Sequence, residues 1–253
     1  MEYKYSIALK RRKTTTLGAF TNGDEVIMME DSSESASNSE DIMVGKNNEF
    51  QMVKKMLIEH PSRQREIVSI KGMGGIGKTT LAKRLYDDPS IASHFNKRAW
   101  VVASQHHNKT HMLTDILESI GYVDCDTTKD IEEKVYQCLM HQRYFIVIDD
   151  IWSDKAWDAI KICFLDNENR SRILLTTRFA DVAICIGSRK HFSHQMHLLD
   201  QCESWSLFHE KACKSRSVKF EKIGRPIVEK CKGLPLAIVV VVGLFSKLNE
   251  IYE

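Results

Sequence analysis

The chain carries no excess of either charge: 36 Lys and Arg stand against 34 Asp and Glu, a formal net charge of +2. That balance speaks against a dedicated nucleic-acid binder, which shows a strong basic excess. Long apolar runs are also missing. The longest, residues 234–245 with Lys232 and Lys247 outside it, falls well short of the ~20 residues that span a bilayer. The first twenty residues hold Lys4 and the basic cluster Lys10, Arg11, Arg12 and Lys13 but no apolar block, so no secretory signal is expected. No C-x-x-C pair occurs among the seven cysteines, which fall singly at Cys125, Cys138, Cys163, Cys185, Cys202, Cys213 and Cys231. An odd count without a signal reads as reduced thiols in an intracellular protein. His107 and His111 are spaced i, i+4, and Cys138 and His141 i, i+3. Zinc needs three or four converging ligands, and no second matching pair exists, so no such site is expected. Asn108-Lys109-Thr110 and Asn169-Arg170-Ser171 match the glycosylation pattern, and in a non-secreted chain both read as chance.

What is present is globular. Apolar residues make up 43% and charged residues 28% of 253 residues, which excludes wholesale disorder. This length suits one large domain or two modest ones, able to bury roughly 70–75% of the unfolded surface without disulfides. Residues 1–29 form an N-terminal extension with no sustained period. Residues 30–41 hold five acids, five serines and no large apolar group. Such a stretch cannot offset its ordering entropy and reads as a solvated linker, with a phosphorylation target or a partner for the basic cluster as the alternatives. From Ile42 the pattern is globular, without internal repeats.

Short apolar runs then alternate with helical segments. Ile67-Val68-Ser69-Ile70 predicts a strand, followed by a glycine-rich turn and a helix over 78–88 that Pro89 stops. Ala99-Trp100-Val101-Val102-Ala103 is a second strand. Thr110 is the expected cap of a helix with apolar Met112, Leu113, Ile116, Leu117 and Ile120, and Thr128 of one carrying Ile131, Val135, Cys138 and Leu139. The apolar runs 144–148 and 173–175 look like strands buried on both faces, as in a parallel sheet covered by helices. From Gln201 the pattern is helical, with Trp205, Leu207, Phe208 and Ala212, then Ile223, Ile227, Val228 and Cys231. A β/α part followed by a helical part implies two packed units.

The chemistry sits in the first turn. Gly72-Met73-Gly74-Gly75-Ile76-Gly77-Lys78-Thr79 fits G-x-x-x-x-G-K-[ST] between a strand and a helix. Glycines let successive backbone N–H groups point into one concavity that binds phosphate oxygens, and the helix start adds its positive end. Lys78 can reach the β- and γ-phosphates, and the Thr79 hydroxyl can ligate Mg²⁺. Strand Tyr144-Phe145-Ile146-Val147-Ile148 ends in Asp149 and Asp150, where open α/β sheets bind ligands. Asp149 is expected to hold Mg²⁺ opposite Thr79, and Asp150 to orient or deprotonate the attacking water. Leu174-Leu175-Thr176-Thr177-Arg178 brings a cation to the same rim; Arg178 is read as a γ-phosphate contact, or else as a solvated strand-end arginine.

These residues carry a resemblance over 42 to about 250. With Thr80-Leu81-Ala82 after the P-loop, Phe95-Asn96-Lys97-Arg98-Ala99-Trp100-Val101, Ile148-Asp149-Asp150-Ile151-Trp152, Ser171-Arg172 before the Thr-Thr-Arg strand, Ser204-Trp205-Ser206-Leu207-Phe208 and Gly233-Leu234-Pro235-Leu236-Ala237, the chain resembles the NB-ARC region of plant NBS-LRR disease-resistance proteins. Trp152 resembles the coiled-coil rather than the TIR subclass, and the whole resembles the solanaceous late-blight resistance group.

The resemblance implies a P-loop NTPase parallel sheet covered by helices over 42–199, followed by a small all-helical subdomain over 200–253. It implies an ADP/ATP-binding switch of innate immunity in the cytoplasm, with Mg²⁺, slow hydrolysis at most, and protein partners in signalling. A turnover ATPase and a decoy that does not cycle nucleotide are the rival readings. Catalytic roles fall to Lys78, Asp150 and Arg178, and metal contacts to Thr79 and Asp149. Nucleotide contacts fall to Val44, Gly45, Gly72, Met73, Gly74, Gly75, Ile76, Gly77, Lys78, Thr79, Thr80, Arg178 and Pro235. Pro235 would close the base pocket, and it can equally be a first-turn helix proline. Lys46 stands where the family usually has Phe or Arg, and Arg170 where glycine is common. The family's winged-helix and leucine-rich regions are absent from the sequence, so the chain is expected to be a truncated product or a fragment. Residues 236–245, apolar all round, would need burial on nearly every side. Four successive valines favour a strand by propensity, and the resemblance implies a helix. Without the next subdomain this helix is expected to expose an apolar patch, to self-associate and to release ADP faster.

Overall fold

A computed structural model describes residues 43–103, 108–122, 130–187, 189–212 and 218–252. The N-terminal extension, the acidic linker, His107, Cys125, Thr128 and Cys213 lie outside the described residues. The centre is a parallel five-stranded sheet in the order β2-β3-β4-β1-β5, with β1 at Glu66–Lys71, β2 at Lys97–Val102, β3 at Tyr144–Asp149, β4 at Arg172–Thr177 and β5 at Ser193–Gln195. Every residue of β3 and β4 is buried, because helices cover both faces of the central strands. β2, at one edge, leaves Val102 exposed. β5, the short strand at the other edge, has no counterpart among the predicted strands; three residues are too few to show a period.

Helices pack on both faces. Helix α1 is Asn47–Lys54, continued by one π-turn at Lys55–Glu59. It joins α2, Lys78–Asp87, and α3, Pro89–His94, over Val68, Ile70, Phe145, Val147 and Leu174. The opposite face carries α4, Lys109–Ser119, and α5, Ile131–Leu139, against Val101, Ile146, Ile148 and Ile173. There α6, Asp154–Ile160, adds Trp157 and Ile160, and α7, Ala180–Cys185, lies next to β4. The buried Arg172 guanidinium donates to the Gln64, Ser171 and Ser62 carbonyls at 2.9, 2.9 and 3.1 Å, which compensates the burial of a cation.

The caps differ from expectation. Asn108, not Thr110, precedes α4 and accepts from the His111 N–H at 3.1 Å; Asn is among the strongest N-caps. Asp130 caps α5 in place of Thr128. Pro89 does more than stop α2: it opens α3 at its first position, with Asp88 as the cap, where proline's missing N–H has no helical partner to lose. Arg170 has φ 66°, which explains why glycine suits that position.

Three helices follow the sheet: α8 at Gln201–Ala212, α9 at Val218–Lys230 and α10 at Pro235–Tyr252. They share a core of Leu207, Phe208, Val228, Ile238 and Val242. Ile223, expected on the packed face of α9, is 53% exposed. Gly224 takes that place, where an added Cβ would stand 2.7 Å from the Phe208 ring; close helix approach there demands a residue without a side chain. The 236–245 segment is helical despite its valines. Ile238 and Val242 are buried while Leu236, Val239, Val240 and Leu244 are exposed. Burial on nearly every side is therefore not observed. An apolar stripe lies open instead.

Candidate functional site

The strand order decides the site. β4 lies between β1 and β3, so the glycine loop after β1, the aspartates at the end of β3 and Arg178 just beyond β4 meet at the carboxyl edge of three adjacent parallel strands. The loop runs into α2 through Gly77, whose φ of 99° places it in the left-handed region at the helix N-cap. Lys78 is 6% exposed, and its Nζ donates to the Gly72 and Met73 carbonyls at 2.9 and 3.0 Å. Burial pulls its pKa below the usual lysine range; Asp150 and Asp149 oppose that pull and Arg178 adds to it.

Asp149 is 5% exposed. Its Oδ1 accepts from Thr79 Oγ1 at 3.0 Å and from Thr176 Oγ1 at 2.6 Å. Thr176 Oγ1 in turn accepts from the Asp150 N–H at 2.8 Å. Asp150 has φ 52°, which turns its carboxylate away from the strand toward Arg178. Arg178 Nε and Nη2 donate to the two carboxylate oxygens at 3.3 and 3.1 Å. Its guanidinium lies 4.7 Å from the Trp152 ring centre.

A cleft of about 440 Å³ joins these groups, lined by Gly74, Gly75, Gly77, Lys78, Thr79, Thr80, Asp149, Asp150 and Arg178, with Pro235, Leu236 and Val239 of α10 opposite and Val102 at the rim. The Leu236 N–H donates to the Gly75 carbonyl at 3.2 Å, tying the loop to the first turn of α10. A second, more apolar cleft of about 190 Å³ shares Gly77, Thr80, Pro235 and Val239 with the first and adds Met43, Val44, Lys46, Ile76, Leu199, Leu207 and Lys211. Pro235 is the first residue of α10 and lines both clefts.

Three predicted contact residues face neither cleft. Gly72 and Met73 act through their carbonyls on Lys78, and Gly45 packs against Glu203. Lys46 is 5% exposed; its Nζ meets Glu49 at 3.0 Å, the Leu198 carbonyl at 3.2 Å and Glu203 at 3.6 Å. It thus anchors the segment before α1 to the start of α8. Thr176 bonds Asp149 across adjacent strands, and a threonine at a strand end carries no such signal in sequence until the neighbouring strand is known. Val102, Leu236 and Val239 join the cleft only through the packing of elements distant in sequence.

Mg²⁺ suits the donors present. A hydroxyl and a carboxylate 3.0 Å apart at the cleft are hard oxygen ligands. Among the described residues no three His, Cys, Asp or Glu side chains converge.

The chain is 35% identical over 219 residues to disease resistance protein RPP13 of Arabidopsis thaliana, covering 82% of this chain and 26% of that protein. It is 36% identical over 208 residues to putative late blight resistance protein homolog R1B-14 of Solanum demissum, covering 76% and 15%. It therefore spans about a quarter or less of these relatives' length. Among solved structures, the ADP form of the Aeropyrum pernix ORC2 protein superposes with a TM-score of 0.62 at 14% identity, over 84% of this chain and 65% of that one. Drosophila ORC bound to DNA gives 0.58 at 10% identity, over 93% and 66%; at such identities the likeness is of fold alone. A family model for the NB-ARC domain matches residues 46–218, more than half of the chain, and the chain accordingly belongs to the NB-ARC domain family.

Proposed function

We propose that this chain is the ADP/ATP-binding switch module of a plant disease-resistance receptor, hydrolysing ATP slowly at most and acting in the cytoplasm with protein partners in immune signalling. The carrying observation is that Pro235 and Leu236 of the helical unit line the same cleft as Lys78, Thr79 and Asp149 of the sheet unit. A ligand held there touches both units and so biases their arrangement, which a switch requires. The two units are taken as 42–199 and 200–253. No helix among the described residues is long and apolar enough to cross a membrane.

The roles follow from position. Backbone N–H groups of Gly74, Gly75, Gly77 and Thr79 would cradle phosphate at the start of α2. Lys78 would leave the loop carbonyls for the β- and γ-phosphates. Thr79 and Asp149 would hold Mg²⁺, which when bound neutralises phosphate charge. Asp150 would orient the attacking water, and Arg178 would meet the γ-phosphate. Val44, Ile76 and Pro235 would enclose the base in the apolar second cleft.

Calorimetry with ADP and ATP, with and without Mg²⁺, tests this. Lys78→Arg is expected to lose affinity nearly as fully as Lys78→Ala, because a planar guanidinium does not fit where a compact ammonium does. The loss of a charged hydrogen bond costs about 1.5–3 kcal/mol, one to two decades. Asp149→Ala weakens Mg²⁺-dependent binding, and Asp150→Ala leaves ADP binding in place and slows hydrolysis. Parent-like ADP binding by Lys78→Arg sinks the reading.

A further inference from the structure

Arg178 is held in place by more than Asp150. An ion pair between groups 43% and 29% exposed contributes little by itself, and a solvent-facing arginine at a strand end should sample many rotamers. Here it is confined on three sides. The Asp150 carboxylate accepts both of its prongs, at 3.3 and 3.1 Å. The Trp152 ring lies under the guanidinium. On the far side Nη1 is 3.5 Å from where a Cβ on Gly74 would stand, so the guanidinium lies along the phosphate loop itself. Trp152 also donates from Nε1 to Asp150 Oδ2 at 3.2 Å. The same side chain therefore fixes both members of the pair. Its ring is in turn backed by Phe179, 5.7 Å between centres.

This arrangement has a chemical consequence. Asp150 Oδ1 accepts from Arg178, and Oδ2 accepts from both Arg178 and Trp152, so the carboxylate has little room to orient a water while Arg178 stays there. Asp150 holds the Nε–Nη2 edge of Arg178, and that edge can grip a third phosphate only by leaving Asp150. A terminal phosphate offers the guanidinium a competing, doubly hydrogen-bonding acceptor. A diphosphate offers none at that point.

We propose that Trp152 is a positioning residue: it parks Arg178 on Asp150 and thereby sets how strongly the site prefers a nucleoside triphosphate over a diphosphate. The inference rests on the nucleotide-binding reading above. It goes further by assigning the discrimination to a residue that lines neither cleft. Parking lowers the fraction of molecules whose Arg178 is free, and apparent triphosphate affinity falls by that fraction while diphosphate affinity is untouched.

The test measures binding of ADP and of a non-hydrolysable ATP analogue to the full chain by calorimetry. Removing a partly exposed cation–π contact together with its hydrogen bond shifts the parked equilibrium by about fivefold. Trp152→Ala is therefore expected to raise the ratio of ATP-analogue to ADP affinity about fivefold, with ADP affinity itself steady. Trp152→Phe keeps a ring and loses the N–H, and should raise the ratio about twofold. In an Arg178→Ala background the substitution at Trp152 should leave the ratio unmoved, which a merely structural role for the indole does not predict. An unchanged ratio in the parent background, or a shift that persists without Arg178, overturns the proposal. If Trp152→Ala does not fold, as judged by its melting curve, Trp152→Phe decides by the same ratio. Failure of the parent to bind either nucleotide instead sinks the nucleotide-binding reading, a distinct result.

Discussion

Thr176→Val is the most informative single substitution, because valine keeps the shape of the side chain and removes only its hydrogen bonding. Thr176 is fully buried and its hydroxyl does two things at once. It donates to Asp149 Oδ1 at 2.6 Å and accepts from the Asp150 N–H at 2.8 Å. The variant leaves a carboxylate that is 5% exposed with one donor fewer, a loss of about 1.5–3 kcal/mol for a charged hydrogen bond. It also removes the partner of the Asp150 amide, at about 1–3 kcal/mol if no water replaces it. The two losses share one atom and do not add fully, so about 2–4 kcal/mol is expected. For a domain of this size each kcal/mol lowers the melting temperature by roughly 2–4 °C, giving a fall of about 4–16 °C by calorimetric melting. The second readout is Mg²⁺ dependence. Asp149 keeps only Thr79 to orient it, so the Mg²⁺-dependent part of nucleotide affinity should fall more than the Mg²⁺-independent part. Thr176→Ser retains the hydroxyl and should stay within about 1 kcal/mol of the parent. A Thr176→Val protein melting within a degree of the parent, with its Mg²⁺ dependence intact, would refute the reasoning.

Gly75→Ala should weaken nucleotide binding and stability together. Gly75 has φ 75°, and an added Cβ would stand 2.6 Å from Leu236 Cβ; the left-handed conformation alone costs a non-glycine residue about 1–2 kcal/mol. Leu236→Ala should not rescue it, since the offending Cβ remains; rescue in a binding assay would contradict this account of the contact. Asp88→Ala should cost about 1 kcal/mol through loss of the α3 cap. Burial raises the Asp88 pKa, but hydrogen bonds from Ser90, Lys54 and the Ile91 amide outweigh it and lower the pKa from 3.8 to about 2. A depressed carboxylate pKa adds stability that is complete above the unfolded value and fades as pH falls toward the folded one. The melting gap between parent and Asp88→Ala should thus hold steady from pH 7 to 5 and narrow from about 4 toward 2. A gap that already narrows between pH 7 and 5 contradicts that.

The glycine loop, Lys78, Thr79 and the paired aspartates were legible from residue order alone, because each depends on local geometry: a strand, a turn that needs positive φ, a helix start. The runs 144–148 and 173–175 announced buried parallel strands for a similar reason, since a strand covered on both faces has no polar side to alternate with. The helical nature of 236–245 was not local. Its valines favour extended backbone, and burial of Ile238 and Val242 against α8 and α9 overrides them. Ile223 gave up its expected packed place to Gly224 because the close approach of Phe208 is a property of two helices, not of one. Thr176 acquired its role only when β4 entered between β1 and β3. Nothing in a threonine's own neighbours says that Asp149, 27 positions earlier, ends the adjacent strand at its level. Lys46 likewise became an anchor through Glu203, 157 positions away. Strand order and helix docking are set by how the whole chain buries its apolar surface. Contacts made across them therefore lie beyond the reach of any window of sequence.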